Sequence, residues 1–304
     1  MEPSEPSATE PEPSAPFTVE GAHTSAIPVL IAAPHGGRAY PAELLARMRD
    51  PEVRIRLEDR HVDTLARHVA ALCGAPLLVA SAPRAQIDLN RAPADIDWTM
   101  VSGPRPAGHR HSQVNRRARS GLGLVPRRLS GSGEIWRGCL QREELERRIE
   151  TIHRPYHDAL GAALERLRFQ WGAVLLVDLH SMPPLATRHP GEQAAEFVVG
   201  DRFGASCDPR LSAIALDTLG KARRFATHNR PYSGGYVLDR HGNPRRNVHA
   251  LQIEVCRTLY LDRQLTIPSV RLPTIAQLLA GMVRKLADQV AMMGLDSHQL
   301  LAGE

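Results

Sequence analysis

Aromatic residues are scarce in this chain: three Trp, five Tyr and five Phe make up 4% of its 304 residues. A binder of single-stranded nucleic acid needs exposed rings on which bases can stack, and this sequence has few to offer. Lysine is scarcer still. Lys221 and Lys285 stand alone, so the basic side of the chain is almost entirely arginine. The four cysteines, Cys73, Cys139, Cys207 and Cys256, lie far apart with no CxxC pair. This argues against both a cysteine zinc knuckle and a disulfide framework. No apolar run is long enough to span a bilayer. The longest, such as Ile27 to Ala33 and Ala173 to Val177, have the length of buried strands. The N-terminus lacks a charged-then-apolar leader, so the expected location is the cytoplasm, with no membrane partner. GxSxG, HExxH and P-loop motifs are all missing.

What remains is an ordinary globular balance, 42% apolar and 23% charged, which excludes disorder throughout. Thirty-eight basic against thirty-three acidic side chains leave +5, too mild over this length to indicate nucleic acid by itself. Arginine offers a planar fork that fits carboxylates and so suits anionic ligands, but genome composition is the plainer reason for its abundance.

Residues 1–16, MEPSEPSATEPEPSAP, hold five prolines and four glutamates and almost nothing to bury. They read as a disordered tail, followed by a single domain over 17–304. IPVLIAA (27–33) reads as a buried strand closed by Pro34, His35, Gly36 and Gly37. Pro41 to Arg49 reads as a short helix and Val53 to Leu72 as one longer amphipathic helix. PLLVA (76–80) is another strand, and AQIDL (85–89) a strand end. From Asp97 to Ser132 the chain carries no further acid but seven arginines, among them Arg105, Arg116 and Arg128. This stretch reads as an excursion over one face with a short helix near 111–119. Gln141 to Gln170 reads as a helix broken or kinked at Pro155. AVLLVDLH (173–180), EFVVG (196–200), GYVL (235–238) and HALQIEV (249–255) read as strands, and Thr274 to Met293 as a closing helix. Strands alternating with helices predict an α/β sandwich with a largely parallel sheet.

In such sheets the ligand crevice lies beyond the carboxyl ends of the strands. His35, His180 and Glu254 fall at strand ends, and Glu58 on the helix after the first strand. Two histidines and a carboxylate form a catalytic zinc shell, and a second carboxylate can take a proton from the attacking water. His61, three residues after Glu58 and on the same expected helix face, could also supply a ligand, whereas Asp59 and Asp63 read by default as a solvated or N-terminal acidic face. Asp178 and Asp88 are next in line as bases. Cys256, two residues past Glu254, reads as a buried, inert thiol.

Nine strings occur in order between residues 27 and 263: PHGGRAYP (34–41), LEDRHVDTL (57–65), QIDLNR (86–91), GLGLVPRR (121–128), IWRG (135–138), DLHSMP (178–183), GDRFG (200–204), NRPYSGGYV (229–237) and HALQIEVCRTLYLD (249–262). Together they resemble the N-formylglutamate amidohydrolase family, itself similar to the zinc carboxypeptidase and muramoyl-amidase sandwiches. The resemblance implies a three-layer α/β sandwich, a phosphorylase/hydrolase-like fold, and a zinc-dependent hydrolase acting on a linear amide bond. It implies His35, Glu58 and His180 as Zn²⁺ ligands, with Asp59, adjacent, and His61, one turn on, as the alternatives at the helical position, and Glu254 as general base. The substrate it implies is an N-acyl acidic amino acid such as N-formyl-L-glutamate, with a place in histidine degradation. Arg91, Arg127, Arg137 and Arg230, inside the matching strings, are the candidates for binding the substrate carboxylates. Gly234 and Gly235 suit a tight bend near the site. His241 and His249 are candidates for orienting the scissile carbonyl or for structural hydrogen bonds. Two rival readings stand beside this one. The same chemistry could act on another N-acyl amino acid or peptide, or the Arg-rich 105–128 stretch could make the chain a non-catalytic binder of nucleic acid or an acidic protein.

Overall fold

The structure is a computed structural model that describes residues 15–21, 25–104, 116–187, 189 and 191–302. Its elements run β1 (Phe17–Glu20), β2 (Val29–Ala33), α1 (Ala42–Ala46), α2 (Arg54–Leu57), α3 (Val62–Cys73), β3 (Leu77–Ala80) and α4 (Arg116–Arg119). They continue with β4 (Arg128–Leu129), β5 (Gly133–Glu134), α5 (Arg142–Arg148), α6 (Arg154–Trp171), β6 (Val174–Met182) and β7 (Phe197–Gly200). The last are α7 (Pro209–Lys221), β8 (Ala226–His228), α8 (Tyr236–His241), β9 (Val248–Cys256) and α9 (Leu272–Ala302).

Seven strands form one sheet in the order β1-β3-β2-β6-β9-β7-β8. The four central strands, β3, β2, β6 and β9, are mutually parallel; β1 and β7 pair antiparallel with their neighbours. β6 and β9 are buried at all nine positions, which is why both read as near-continuous apolar runs rather than alternating ones. Helices cover both faces. Val29, Ile31, Leu175, Val177, Leu251 and Ile253 pack toward α3, α7 and α9. Leu30, Ala32, Leu176 and Ala250 pack toward α6 and α8. The result is a three-layer α/β sandwich.

Several local expectations are corrected. The helix expected over Val53–Leu72 is two helices, with Glu58 extended at the end of α2 (φ −69°, ψ 150°) and His61 left-handed before α3. The amide of Asp59 bonds the carbonyl of His35 at 3.1 Å instead of a helical carbonyl, so a long-range contact overrides a continuous apolar spacing. Hence Glu58 is not on a helix face, and Glu58 and His61 do not form a helical pair. GYVL is not a strand: α8 starts at Tyr236, and Val237 and Leu238 are both buried. A short apolar run does not distinguish the two by periodicity. AQIDL forms turns, not a strand end. Between α5 and α6 lies a π-helical turn, Ile149–His153, with Pro155 in the first turn of α6.

Residues 1–14 of the expected tail and 105–115 of the Arg-rich stretch lie outside the described residues. Pro16, assigned to the tail, has its carbonyl bonded to the amides of Ser81 and Ala82. No helix of the described residues is long and apolar enough to cross a membrane.

Candidate active site

The face of the sheet that carries Leu176 and Ala250 becomes polar toward the carboxyl ends of β6 and β9. Side chains two apart on a strand share a face, so Asp178 and His180 follow Leu176, and Gln252 and Glu254 follow Ala250. His180 and Glu254 are register partners on the paired strands. β2 delivers His35 to the same edge through the Pro34–Gly37 turn. A Cβ at position 37 would overlap the carbonyl oxygen of Ala82, so only glycine lets this turn pass so close to the chain after β3.

His35, Asp59 and His180 converge there, all buried, each offering a ligand atom within 4.8 Å of the others. Asp59 Oδ2 lies 2.9 Å from His180 Nδ1 and 3.5 Å from His35 Nδ1. The outer nitrogens face two other buried carboxylates: His35 Nε2 lies 2.7 Å from Asp88 and His180 Nε2 2.9 Å from Asp178. An imidazole that donates Nε2–H to a carboxylate presents Nδ1 as a lone pair, and this backing orients metal-ligating histidines. Two imidazoles and a carboxylate are a fitting donor set for a divalent metal with a position left for water. Burial alone would raise Asp59, but hydrogen bonds to His180 and His35, with their charge, hold it well below the usual carboxylate range. Burial would lower His180, yet Asp178 and Asp59 outweigh it and push it well above the ordinary value.

Glu254 lines the same cleft with its Oε1 accepting from Gln252 Nε2 at 2.9 Å. Burial lifts its pKa to about 7, helped by Asp59 and Asp178 and opposed by His180 and Arg84. Asn90 spans the floor. Its Oδ1 accepts from the Val237 amide, and its Nδ2 lies 3.3 Å from Gln252 Oε1 and 3.4 Å from His180 Nε2. A Cβ at Gly235 would sit 2.5 Å from Asn90 Oδ1, so glycine is what admits this side chain.

The cleft encloses about 230 Å³. Of the residues expected at the site, His35, His180, Glu254 and Arg91 line it; Glu58 does not. Glu58 is buried against Arg60, its Oε2 2.7 Å from the guanidinium, and Asp59 occupies the place it was expected to fill. His61 turns to the carbonyl of Thr266. Asp88 and Asp178, the reserve bases, are engaged by the two histidines. Arg127 pairs with Asp97 and Glu134, and Arg137 bonds the carbonyls of Met48 and Arg49. Arg230 is exposed, and none of these three lines the cleft. The guanidinium groups that do are Arg56, Arg84, Arg91 and Arg257. Arg84 lies 2.9 Å and Arg91 4.0 Å from Asp88, and Arg257 lies 3.5 Å from Asp59. Sequence reasoning missed Arg56, Arg84 and Arg257. Arg257 falls within a matching string, but its bonds reach back to Ser181 and Glu58.

His241 is stacked on His157, and His249 sits five residues before Glu254 on β9, roughly 16 Å along the strand. Neither lines the cleft. Instead, His153 and His157 bond the carbonyls of Arg91 and Leu89 on either side of Asn90, both at 2.9 Å. Cys256 is buried beside Thr258 and outside the cleft; all four cysteines are free.

The model of the N-formylglutamate amidohydrolase family matches residues 27–261. An N-formylglutamate deformylase of Pseudomonas putida is 28% identical over 283 residues, covering 91% of this chain and 97% of the relative. The crystal structure of an N-formylglutamate amidohydrolase from Ralstonia eutropha JMP134 aligns with a TM-score of 0.79 at 32% identity, over 91% of this chain and 98% of that one. A gene product of Agrobacterium tumefaciens shares the fold, with a TM-score of 0.67 at 19% identity over 91% and 96% of the two chains.

Proposed function

Because the chain belongs to the N-formylglutamate amidohydrolase family, we propose that it is a zinc-dependent hydrolase that cleaves N-formyl-L-glutamate to formate and L-glutamate. The observation that carries this reading is the triangle of His35, Asp59 and His180, with both outer imidazole nitrogens already committed to Asp88 and Asp178. The Pseudomonas putida relative is an N-formylglutamate deformylase, and the arginines of the cleft suit that substrate. Arg56, Arg84, Arg91 and Arg257 line the wall, and guanidinium forks suit a ligand that carries carboxylates.

His35, Asp59 and His180 would hold the ion, which when bound polarises the scissile carbonyl and acidifies water toward a pKa of about 7. Glu254 accepts a proton from the water that adds to the formyl carbon. The same carboxyl then donates that proton to the amide nitrogen as the C–N bond breaks, releasing formate and the free amine. A carboxyl with a pKa near 7 is suited to both transfers at neutral pH. Asn90 and Gln252, linked to each other, hold the floor of the cleft beside Glu254 and His180. Arg84 and Arg91 stand on the wall of the cleft beside Asp88, the carboxylate that backs His35. On this reading the chain is a small-molecule enzyme, and its expected place is the cytoplasm.

The test is formate release from N-formyl-L-glutamate by protein purified without chelator, together with its zinc content. Protein with one zinc per chain and no activity on any N-formyl amino acid would exclude the substrate. Full activity after exhaustive chelation would exclude the metal.

A further inference from the structure

The four arginines of the cleft differ in how their charge is matched. Arg84 and Arg91 face Asp88, and Arg257 faces Asp59. Arg56 is the exception. Among the described residues its partners are the carbonyl of Ser130, at 2.8 Å, and the hydroxyl of Ser132. Both are neutral oxygens, so the guanidinium is positioned without being neutralised. It is also the exposed member of the set, at the rim of the cleft, whereas the triangle lies on its buried floor.

The anchoring is itself informative. Ser130 and Ser132 belong to the turn between β4 and β5, and Gly131 between them is left-handed (φ +76°). Leu129 of β4 lines the cleft. The β4–β5 ribbon therefore brings an apolar side chain to the opening and seats Arg56 beside it. Two of the five N–H donors of the guanidinium are used by the turn, leaving others in the planar fork for an incoming carboxylate.

We infer that Arg56, held on the β4–β5 turn, is the residue that reads the outer carboxylate of a dicarboxylic substrate and so sets selectivity for an acidic over a neutral amino-acid portion. The inference rests on the proposed amidohydrolase reading for the placement of the reacting end at the triangle. A neutral ligand would leave Arg56 with only its serine partners, whereas a carboxylate supplies the missing counter-charge at a distance from the reacting atoms. Such a contact is made equally in the bound substrate and at the transition state, so it acts on KM more than on kcat.

The experiment compares wild type, Arg56→Gln and Arg56→Lys as full-length, metal-loaded enzyme on N-formyl-L-glutamate and N-formyl-L-glutamine. It also measures glutarate and butyrate binding by calorimetry. Arg56→Gln is expected to lower kcat/KM for the glutamate compound roughly 10- to 100-fold, chiefly through KM, and to bring the ratio between the two substrates toward one. Arg56→Lys should recover part of that loss, and glutarate binding should weaken far more than butyrate binding. An unchanged substrate ratio in Arg56→Gln, or unchanged glutarate binding, overturns the assignment. If wild type hydrolyses neither formylated compound, the deformylase reading fails on its own. A glutarate-specific loss in Arg56→Gln would still support Arg56 as the carboxylate reader, and equal losses on glutarate and butyrate would overturn it.

Discussion

His180 and Glu254 are register partners on adjacent parallel strands, so a metal-type ligand and a carboxyl with a pKa of about 7 stand side by side on one face of the sheet. Neither depends on a loop for its position. Both strands are buried over their full length, and the pair is held by the same ladder that forms the core.

This arrangement separates binding from proton transfer. Glu254→Gln preserves shape and should keep the fold and the bound metal while lowering kcat by about 10²- to 10⁴-fold. Circular dichroism, metal content and turnover on one preparation check it. A variant with near-normal kcat would place the base elsewhere.

The third ligand position is decided between neighbours. Asp59→Asn should lose most of the bound metal and with it the activity, whereas Glu58→Gln should retain the metal, because the Glu58 carboxylate faces Arg60. Retention of full metal by Asp59→Asn would reverse the assignment.

The carboxylates behind the histidines act through them. Replacing Asp88 or Asp178 by Asn should weaken metal affinity about 10- to 100-fold without abolishing it. Competition with a chelator of known affinity measures this, and affinity equal to wild type in both variants would show that the imidazoles need no backing.

Stability should fall in mild acid, before the carboxylates titrate. Burial pushes His157 down to about 2, with His153, His241 and Arg240 acting in the same direction, and burial lowers His241 to about 4. In the unfolded chain these rings titrate near 6.5. Between those values the unfolded state binds more protons, so the contribution is complete above about pH 6.5 and declines as pH falls toward 4. Tm measured from pH 7.5 to 4.5 should drop across this window, and His157→Gln should flatten the slope. A slope in His157→Gln as steep as that of wild type would mean that this ring is not held neutral.

The strands were legible because a buried strand in a parallel sheet must be apolar on both faces. That constraint wrote AVLLV and VLIAA into the sequence as short continuous runs. His35, His180 and Glu254 were legible for the same reason, since each interrupts or follows such a run at its carboxyl end. That Asp59 faces the two histidines while Glu58 faces Arg60 was not. It depends on a hydrogen bond from the Asp59 amide to the His35 carbonyl that breaks the helix and turns the two neighbouring side chains apart, and periodicity carries no record of a contact 24 residues distant. The arginines divide in the same way. Composition showed that anion-reading groups were abundant, but which of them face the cleft was settled by the packing of α2, the β4–β5 turn and the chain after β9. An arginine keeps the same identity whether it caps carbonyls, as Arg137 does, or stands at a rim without a carboxylate partner among the described residues, as Arg56 does. Only the three-dimensional placement of its partners distinguishes the two.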